Sequence, residues 1–411
     1  MQAQLQTFID IRRDLHAHPE LGFEERRTSD LIAAALTTWD IPVHRGLGRT
    51  GIVATIHGSS GGASGTGSGS GSGTGSGNGA GKRAIGLRAD IDALPMTERN
   101  TFAHASVHEG RMHGCGHDGH TAILLAAARQ LSQAPTFDGT VHLIFQPAEE
   151  GGGGAREMIR DGIFSRFPMD AIFGIHNWPG LAVGQFALSS GPAFASSNEF
   201  TIRIHGRGSH AAMPYNAVDP VPIACQMVQA FQTIISRNKR PRDAAVISVT
   251  MIHAGEATNV IPDTCEIRGT VRTFTIEVLD LIERRMREIT QSLCEAFGAR
   301  CEFLFERNYP PTINHERETA FVRGVLTRSV GAGNVREFEP TMGAEDFSYF
   351  LQEKPGCYFV IGNGEGDHRL DGHAAGPCLL HNPSYDFNDA LIPIGASMWV
   401  KLVDEWFAAQ R

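Results

Sequence analysis

Three segments of this chain, Ala84–Asp92, Thr140–Glu150 and Asp170–Asn177, run almost continuously apolar and then end in acidic residues or histidine. Such runs suit strands of a sheet covered on both faces, where neither side alternates toward water. Helical spacing falls between them, at about Gly119–Gln133 and Gly154–Asp161. In open α/β sheets the site forms beyond the carboxyl ends of the strands. Asp90, Asp92, Glu149, Glu150 and His176 are therefore expected at one rim.

The middle of the chain changes rhythm. Phe200, Ile202 and Ile204 alternate with Thr201, Arg203 and His205, the period of a strand. A helix is predicted at about Pro220–Ile235, then strands at Ala245–His253 and Thr264–Phe274. Leu279, Ile282, Met286, Ile289 and Leu293 recur at helical spacing, and a last strand is predicted at Cys301–Glu306. The order β-α-β-β-α-β is the split-βαβ, ferredoxin-like pattern. The predicted fold class is α/β: a catalytic sheet domain over 1–191 and 308–411, interrupted by a ferredoxin-like domain over 192–307. Strand-like and ligand-like residues resume after the insertion, at Cys357–Ile361 and His381. The tract Gly58–Gly81 is almost pure Gly, Ser and Thr, a flexible-coil composition. It joins the strand-like runs Gly51–His57 and Ala84–Asp90, so it reads as an overgrown loop between paired strands.

Composition narrows the class. A chain of 411 residues exceeds one ordinary core, given about 100–200 residues per domain. The hydrophobic share of 41% is enough for sizeable cores, and the net charge of -9 argues against a nucleic-acid-binding face. The seven cysteines are odd in number and scattered, as in a reduced cytoplasmic protein, not a disulfide framework. Polar and charged residues follow Met1, so no signal peptide is expected. No run approaches the roughly 18 apolar residues of a membrane span.

The densest chemistry is His113-Gly-Cys115-Gly-His117-Asp118-Gly-His120. Glycines let such a turn fold tightly around a metal that cysteine and histidine can ligate. Asp118 is assigned as the N-cap of the following helix, and His120 to a structural place in its first turn. Glu149 and Glu150 stand side by side before a glycine run. Adjacent carboxylates repel, and a cation removes that repulsion. One can ligate while its neighbour handles a proton. His176 and His381 each follow an apolar stretch. Cysteine, histidines and a carboxylate together fit a metal with positions open to water. Asp90 and Asp92 are either ligands or partners that orient a histidine. A cysteine hydrolase using Cys115 would leave the paired glutamates without a task. A zinc-stabilised binding protein would lack the base or the open coordination position.

These motifs resemble the metallo-amidohydrolases that include hippurate hydrolase, N-acyl-amino-acid amidohydrolases and plant auxin-conjugate hydrolases. The resemblance covers almost the whole chain. It starts at Leu15-His-Ala-His-Pro-Glu-Leu-Gly-Phe-Glu-Glu25 and passes through Leu87-Arg-Ala-Asp-Ile-Asp-Ala-Leu-Pro95 and Cys-Gly-His-Asp-Gly-His. It continues through Gln-Pro-Ala-Glu-Glu150, Gly206-Arg-Gly-Ser-His210, Asn259-Val-Ile-Pro262, Gly269-Thr-Val-Arg272 and Met342-Gly-Ala-Glu-Asp-Phe347, and closes on His381-Asn-Pro. The Gly/Ser tract departs from the family pattern, away from every motif. The resemblance implies Cys115, His117, Glu150, His176 and His381 as ligands of two divalent ions, with Cys115 bridging. Zinc or manganese is expected, with cobalt and nickel as alternatives. It implies Glu149 as general base and Asp92 as its support in catalysis. His210, Asn259 and Arg272 would bind substrate from the inserted lid domain. The implied activity is hydrolysis of N-acyl amino acids. A dimetal dipeptidase or carboxypeptidase and a cysteine-dependent amidase are the alternatives. The implied partners are the small-molecule substrate and further copies of the chain, as a homodimer or homotetramer, with no nucleic acid and no membrane.

Overall fold

The computed structural model describes residues 2–59 and 83–408. The expected coil therefore lies, from residue 60 onward, outside the described residues. The chain forms two compact units, one of Met1–Gly191, Asn314–Phe338 and Tyr349–Arg411, the other of Pro192–Ile313 and Glu339–Ser348. The expected boundary at 307 falls inside the strand Arg300–Tyr309, which keeps pairing with Ser197–His205 as far as Tyr309. The short return Glu339–Ser348 was not visible in the hydrophobic pattern. It is tied in by backbone bonds from Ala195 N–H to the Thr341 and Gly343 carbonyls.

The first unit is built on an eight-stranded sheet. Its order is Val43–Leu47, Gly51–His57, Thr140–Gln146, Ala84–Asp90, Ala171–Pro179, Gly356–Gly364, Phe186–Leu188, Val335–Glu337. Ala84–Asp90 runs parallel to both its neighbours, and every residue of it and of Thr140–Gln146 is buried. That burial is why these strands read as unbroken apolar runs. The helix His117–Gln133 is buried on nearly all sides, packed against Gln2–Ala17 and Leu391–Ala408. Leu87, Leu143, Phe145, Leu124 and Trp399 share one core. Each such large apolar side chain contributes about 1.5–3 kcal/mol on full burial.

Register places the chemistry. Asp90 pairs with Gln146, and Arg88 with Gly174, so Asp90 and His176 are level two residues further on. The segments that follow these strands emerge at one rim, as expected. One detail differs. Gly51–His57 and Ala84–Asp90 share the sheet but do not pair, because Thr140–Gln146 bonds to both and lies between them.

The second unit contains a four-stranded sheet ordered Ala245–His253, Thr264–Thr273, Ser197–His205, Arg300–Tyr309. All neighbours are antiparallel. Burial alternates along Ser197–His205, and the buried face packs on the helices Pro220–Thr233 and Ile276–Ala296. Asp219 and Thr275 cap these helices by accepting the Val221 and Val278 N–H groups. The chain order is β-α-β-β-α-β.

Candidate metal centre

The turn before the helix His117–Gln133 needs a glycine. Gly116 has φ of 90°, and a Cβ there would lie 2.4 Å from Asn177 Nδ2 and from the Tyr385 hydroxyl. Asn177 knits the turn together. Its Nδ2 donates to the Cys115 carbonyl (2.6 Å), its N–H donates to His120 Nε2 (2.9 Å), and its Oδ1 accepts from Tyr385 (2.7 Å). The helix starts at His117 with Gly116 as its N-cap, so Asp118 is not the cap. Its carboxylate instead meets Arg12 Nε at 3.0 Å and His16 Nδ1 at 2.8 Å, all three buried. Arg12 also pairs with Asp386.

His176 and His117 each have Nδ1 occupied. His176 Nδ1 donates to the Asn177 carbonyl (2.6 Å), which turns Nε2 toward Cys115 Sγ at 3.4 Å. Burial and the neighbouring His120 hold His176 well below the usual imidazole range, hence neutral, the form that ligates metals. His117 Nδ1 faces Asp92, 2.9 Å from its carbonyl oxygen and 3.2 Å from Oδ1. His117 Nε2 is buried with no hydrogen-bond partner among the described residues, 4.0 Å from Glu150 Oε1. His381, at φ of 59°, places Nε2 3.2 Å from the same Glu150 oxygen. Its N–H donates to the Gly114 carbonyl. His120 is different. Nδ1 donates to Asp90 at 2.6 Å and Nε2 accepts from Asn177, so no lone pair remains for a metal. Burial lowers His113 to about 4, and neither of its ring nitrogens has a hydrogen-bond partner among the described residues.

All five expected ligands thus gather at this rim. The candidate ligand atoms of Cys115, Glu150 and His381 lie within 4.8 Å of one another, as do those of His117, Glu149 and Glu150. Glu150 belongs to both groups, and Glu149 is buried beside it. Asp92 meets two candidate ligands at once, the His117 ring through Oδ1 and the Glu150 N–H, which it accepts through Oδ2 at 2.9 Å. Asp90 is engaged by Arg88 and His120, each at 2.6 Å, which assigns it to support.

The electrostatics ask for positive charge. Asp90, Asp92, Glu149 and Glu150 all lie among these side chains, and Arg88 pairs with Asp90. Burial would lower His117, yet Asp90, Asp92 and Glu150 outweigh it and push the imidazole up to about 10. Without a cation the pocket holds a proton. Burial, together with Glu150, Glu149 and Asp90, pushes the Cys115 thiol well above its usual range. A divalent ion at His117 Nε2, which makes no hydrogen bond among the described residues but faces Asp90 at 3.6 Å and Glu150 at 4.0 Å, would relieve both, so the donor set fits a metal.

The three expected substrate-binding residues lie in the second unit. His210 and Val260 pair on a two-stranded ladder, and Ala211 N–H donates to the Asn259 carbonyl at 2.9 Å. His210 and Asn259 are therefore neighbours, and both are exposed. Arg272 stands on Thr264–Thr273 opposite Val246. It is half-buried, and burial lowers its pKa.

The model for peptidase family M20/M25/M40 matches residues 86–405. An N-acetyl-L-cysteine deacetylase of Bacillus subtilis is 40% identical over 385 residues, 93% of this chain and 84% of that protein. A hippurate hydrolase of Campylobacter jejuni is 36% identical, covering 96% of this chain and 95% of that one. The crystal structure of the Bacillus subtilis YXEP protein, described as a dinuclear metal binding peptidase from the M20 family, is similar at a TM-score of 0.80. Its sequence identity is 30%, with 99% of each chain covered.

Proposed function

The chain belongs to peptidase family M20/M25/M40, and from that membership we propose that it is a two-metal amidohydrolase splitting N-acyl amino acids of the hippurate type into a carboxylic acid and a free amino acid. The reading is carried by the convergence of Cys115, His117, Glu150, His176 and His381 at one rim with Glu149 beside them. Those five residues would hold two divalent ions, zinc or manganese, with cobalt or nickel as alternatives. When bound, such ions lower the pKa of water and polarise a carbonyl.

The remaining steps belong to the chain. Glu149 accepts the proton of the attacking water and delivers it to the leaving nitrogen. Asp92 fixes the His117 ring and the Glu150 backbone, so that the ligand set is preorganised. Arg272 presents a planar fork that matches the amino-acid carboxylate. His210 and Asn259 supply donors for the carbonyl oxygen as charge develops on it. A reducing cytoplasm, where Cys115 stays a thiol, suits this chemistry, and a homodimer or homotetramer is the assembly we favour.

The direct test is hydrolysis of a panel of N-acyl amino acids by protein of defined metal content. Activity should vanish on metal removal and return with a divalent ion. Full turnover by protein shown metal-free by elemental analysis would overturn the reading. The amide of a preferred substrate should have a lower kcat/KM than the free acid, because it leaves Arg272 partly unpaired. Equal values would remove Arg272 from its role.

A further inference from the structure

Glu20–Glu25 belongs to the first motif of the sequence, yet the chemistry above gives it no task. It lies against the two turns that carry Asp92 and Glu149. Ala93 N–H donates to the Glu20 carbonyl at 2.8 Å, and Leu21 forms a bridge with Ala93. Gly22 comes so near that a Cβ on it would sit 3.1 Å from both Cα and Cβ of Ala148. Glu25 is fully buried and spans two segments. Its Oε1 accepts the Ala148 N–H at 2.8 Å, and its Oε2 accepts the Thr50 hydroxyl at 2.6 Å. Ala148 has φ of 51°, a region that residues with a side chain enter rarely and keep only when their surroundings impose it. The residue just before Glu149 is thus held in a disfavoured conformation, with its N–H tied to a buried carboxyl group.

We propose that Glu25 is a positioning residue for Glu149, holding the left-handed turn at Ala148 that aims the base. This rests on Glu149 being the base. The clasp does not depend on charge. Burial and the nearby Asp92 push Glu25 up to about 7, and Oε1 can accept the Ala148 N–H in either protonation state. The Thr50 hydroxyl can donate to Oε2 or accept from it. A glutamine fits the same two bonds, whereas a methionine of similar size fits neither.

The test compares metal-loaded Glu25→Met, Glu25→Gln, Glu25→Met with Ala148→Gly, and Glu149→Gln, using hippurate as probe. Glu25→Met should lower kcat by about tenfold to 100-fold, the scale of a misplaced catalytic group, with KM and metal content unchanged. Glu25→Gln should keep the unaltered protein's kcat. Glycine adopts positive φ without steric cost, so adding Ala148→Gly to Glu25→Met should recover kcat. An unaffected Glu25→Met, an impaired Glu25→Gln, or no recovery in the double variant would overturn the assignment. Hydrogen exchange on the unaltered protein makes the test independent of whether Glu25→Met folds. The Ala148 amide should be protected like the core strands, and fast exchange there would also overturn the assignment. Full activity in Glu149→Gln would remove the base itself. An inactive Glu149→Gln beside an unaffected Glu25→Met would remove only the role of Glu25.

Discussion

Glu149 and Glu150 share one turn but should respond differently to the same substitution. Glu149→Gln keeps the shape and removes the proposed proton acceptor. Metal should stay bound while kcat falls about 100-fold or more, the usual share of a general base. Near-normal kcat, with metal verified by elemental analysis, would show that another group takes the proton. Glu150→Gln should lose metal on dialysis against a chelator, since Glu150 stands in both ligand groups. Cys115 adds a pH dependence. Its thiol is pushed up by burial and by Glu150, Glu149 and Asp90, so a metal held by it would have to displace a proton. Affinity should therefore fall as pH falls, and calorimetry in buffers of different ionisation enthalpy should detect proton release. Proton release undiminished in Cys115→Ser would mean the thiol is not a ligand. These residues were legible because their types cluster in short motifs. The contacts of Glu25, Asn177 and Tyr385 were not, because their partners are remote in sequence. Asp118 was misassigned for the same reason: its partners Arg12 and His16 lie on another helix.

At the level of elements, period and polarity located the longer strands of both sheets, while the short strands Val43–Leu47, Phe186–Leu188 and Val335–Glu337 carried too little pattern to read. The helices His117–Gln133, Gly154–Arg160, Pro220–Thr233 and Ile276–Ala296 were read to within a few residues, whereas Gln2–Ala17, Arg26–Thr38, Glu316–Val330 and Leu391–Ala408 were not read from the pattern. Pairing was harder to read. The runs on either side of the Gly/Ser tract looked like partners, yet Thr140–Gln146 arrives from later in the chain and separates them. The register still makes a prediction about that tract. His57 and Ala84 both stand opposite Thr140, on its two sides. They are two strand spacings apart, about 10 Å, which a turn of about four or five residues can span. Lengthening a flexible loop costs only about 0.6 kcal/mol per doubling. Replacing residues 59–80 with a short polar turn should leave kcat/KM intact and should not lower Tm. A large loss of activity at unchanged Tm would mean that the tract touches substrate or a partner.

For the whole molecule, the second unit raises the matter of assembly. Ala245–His253 and Arg300–Tyr309 are the outer strands of its sheet. Met251 and Ile252 on the first, and Leu304 on the second, are exposed large apolar residues. Open edges of this kind invite pairing with another chain. His210 lies on the separate ladder with Val260, exposed and with its Nδ1 accepting the Ala212 N–H. Nε2 is then the nitrogen available to a substrate. A local structural role would affect only the chain that carries the substitution. A role across a subunit interface makes a different prediction, because two damaged chains can share out their defects. His210→Ala and Glu149→Gln proteins should each be inactive alone. After subunit exchange, a mixed dimer would hold one site built from an intact His210 and an intact Glu149. Activity should then appear in the mixture and rise with the fraction of heterodimer, measured through a tag on one chain. If tagged heterodimers form and remain inactive, His210 does not serve the neighbouring site. If His210→Ala alone retains full activity, it does not take part in the reaction. Recovery only after exchange ties the catalytic unit of one chain to the second unit of another, which neither a monomer nor a purely structural histidine can produce.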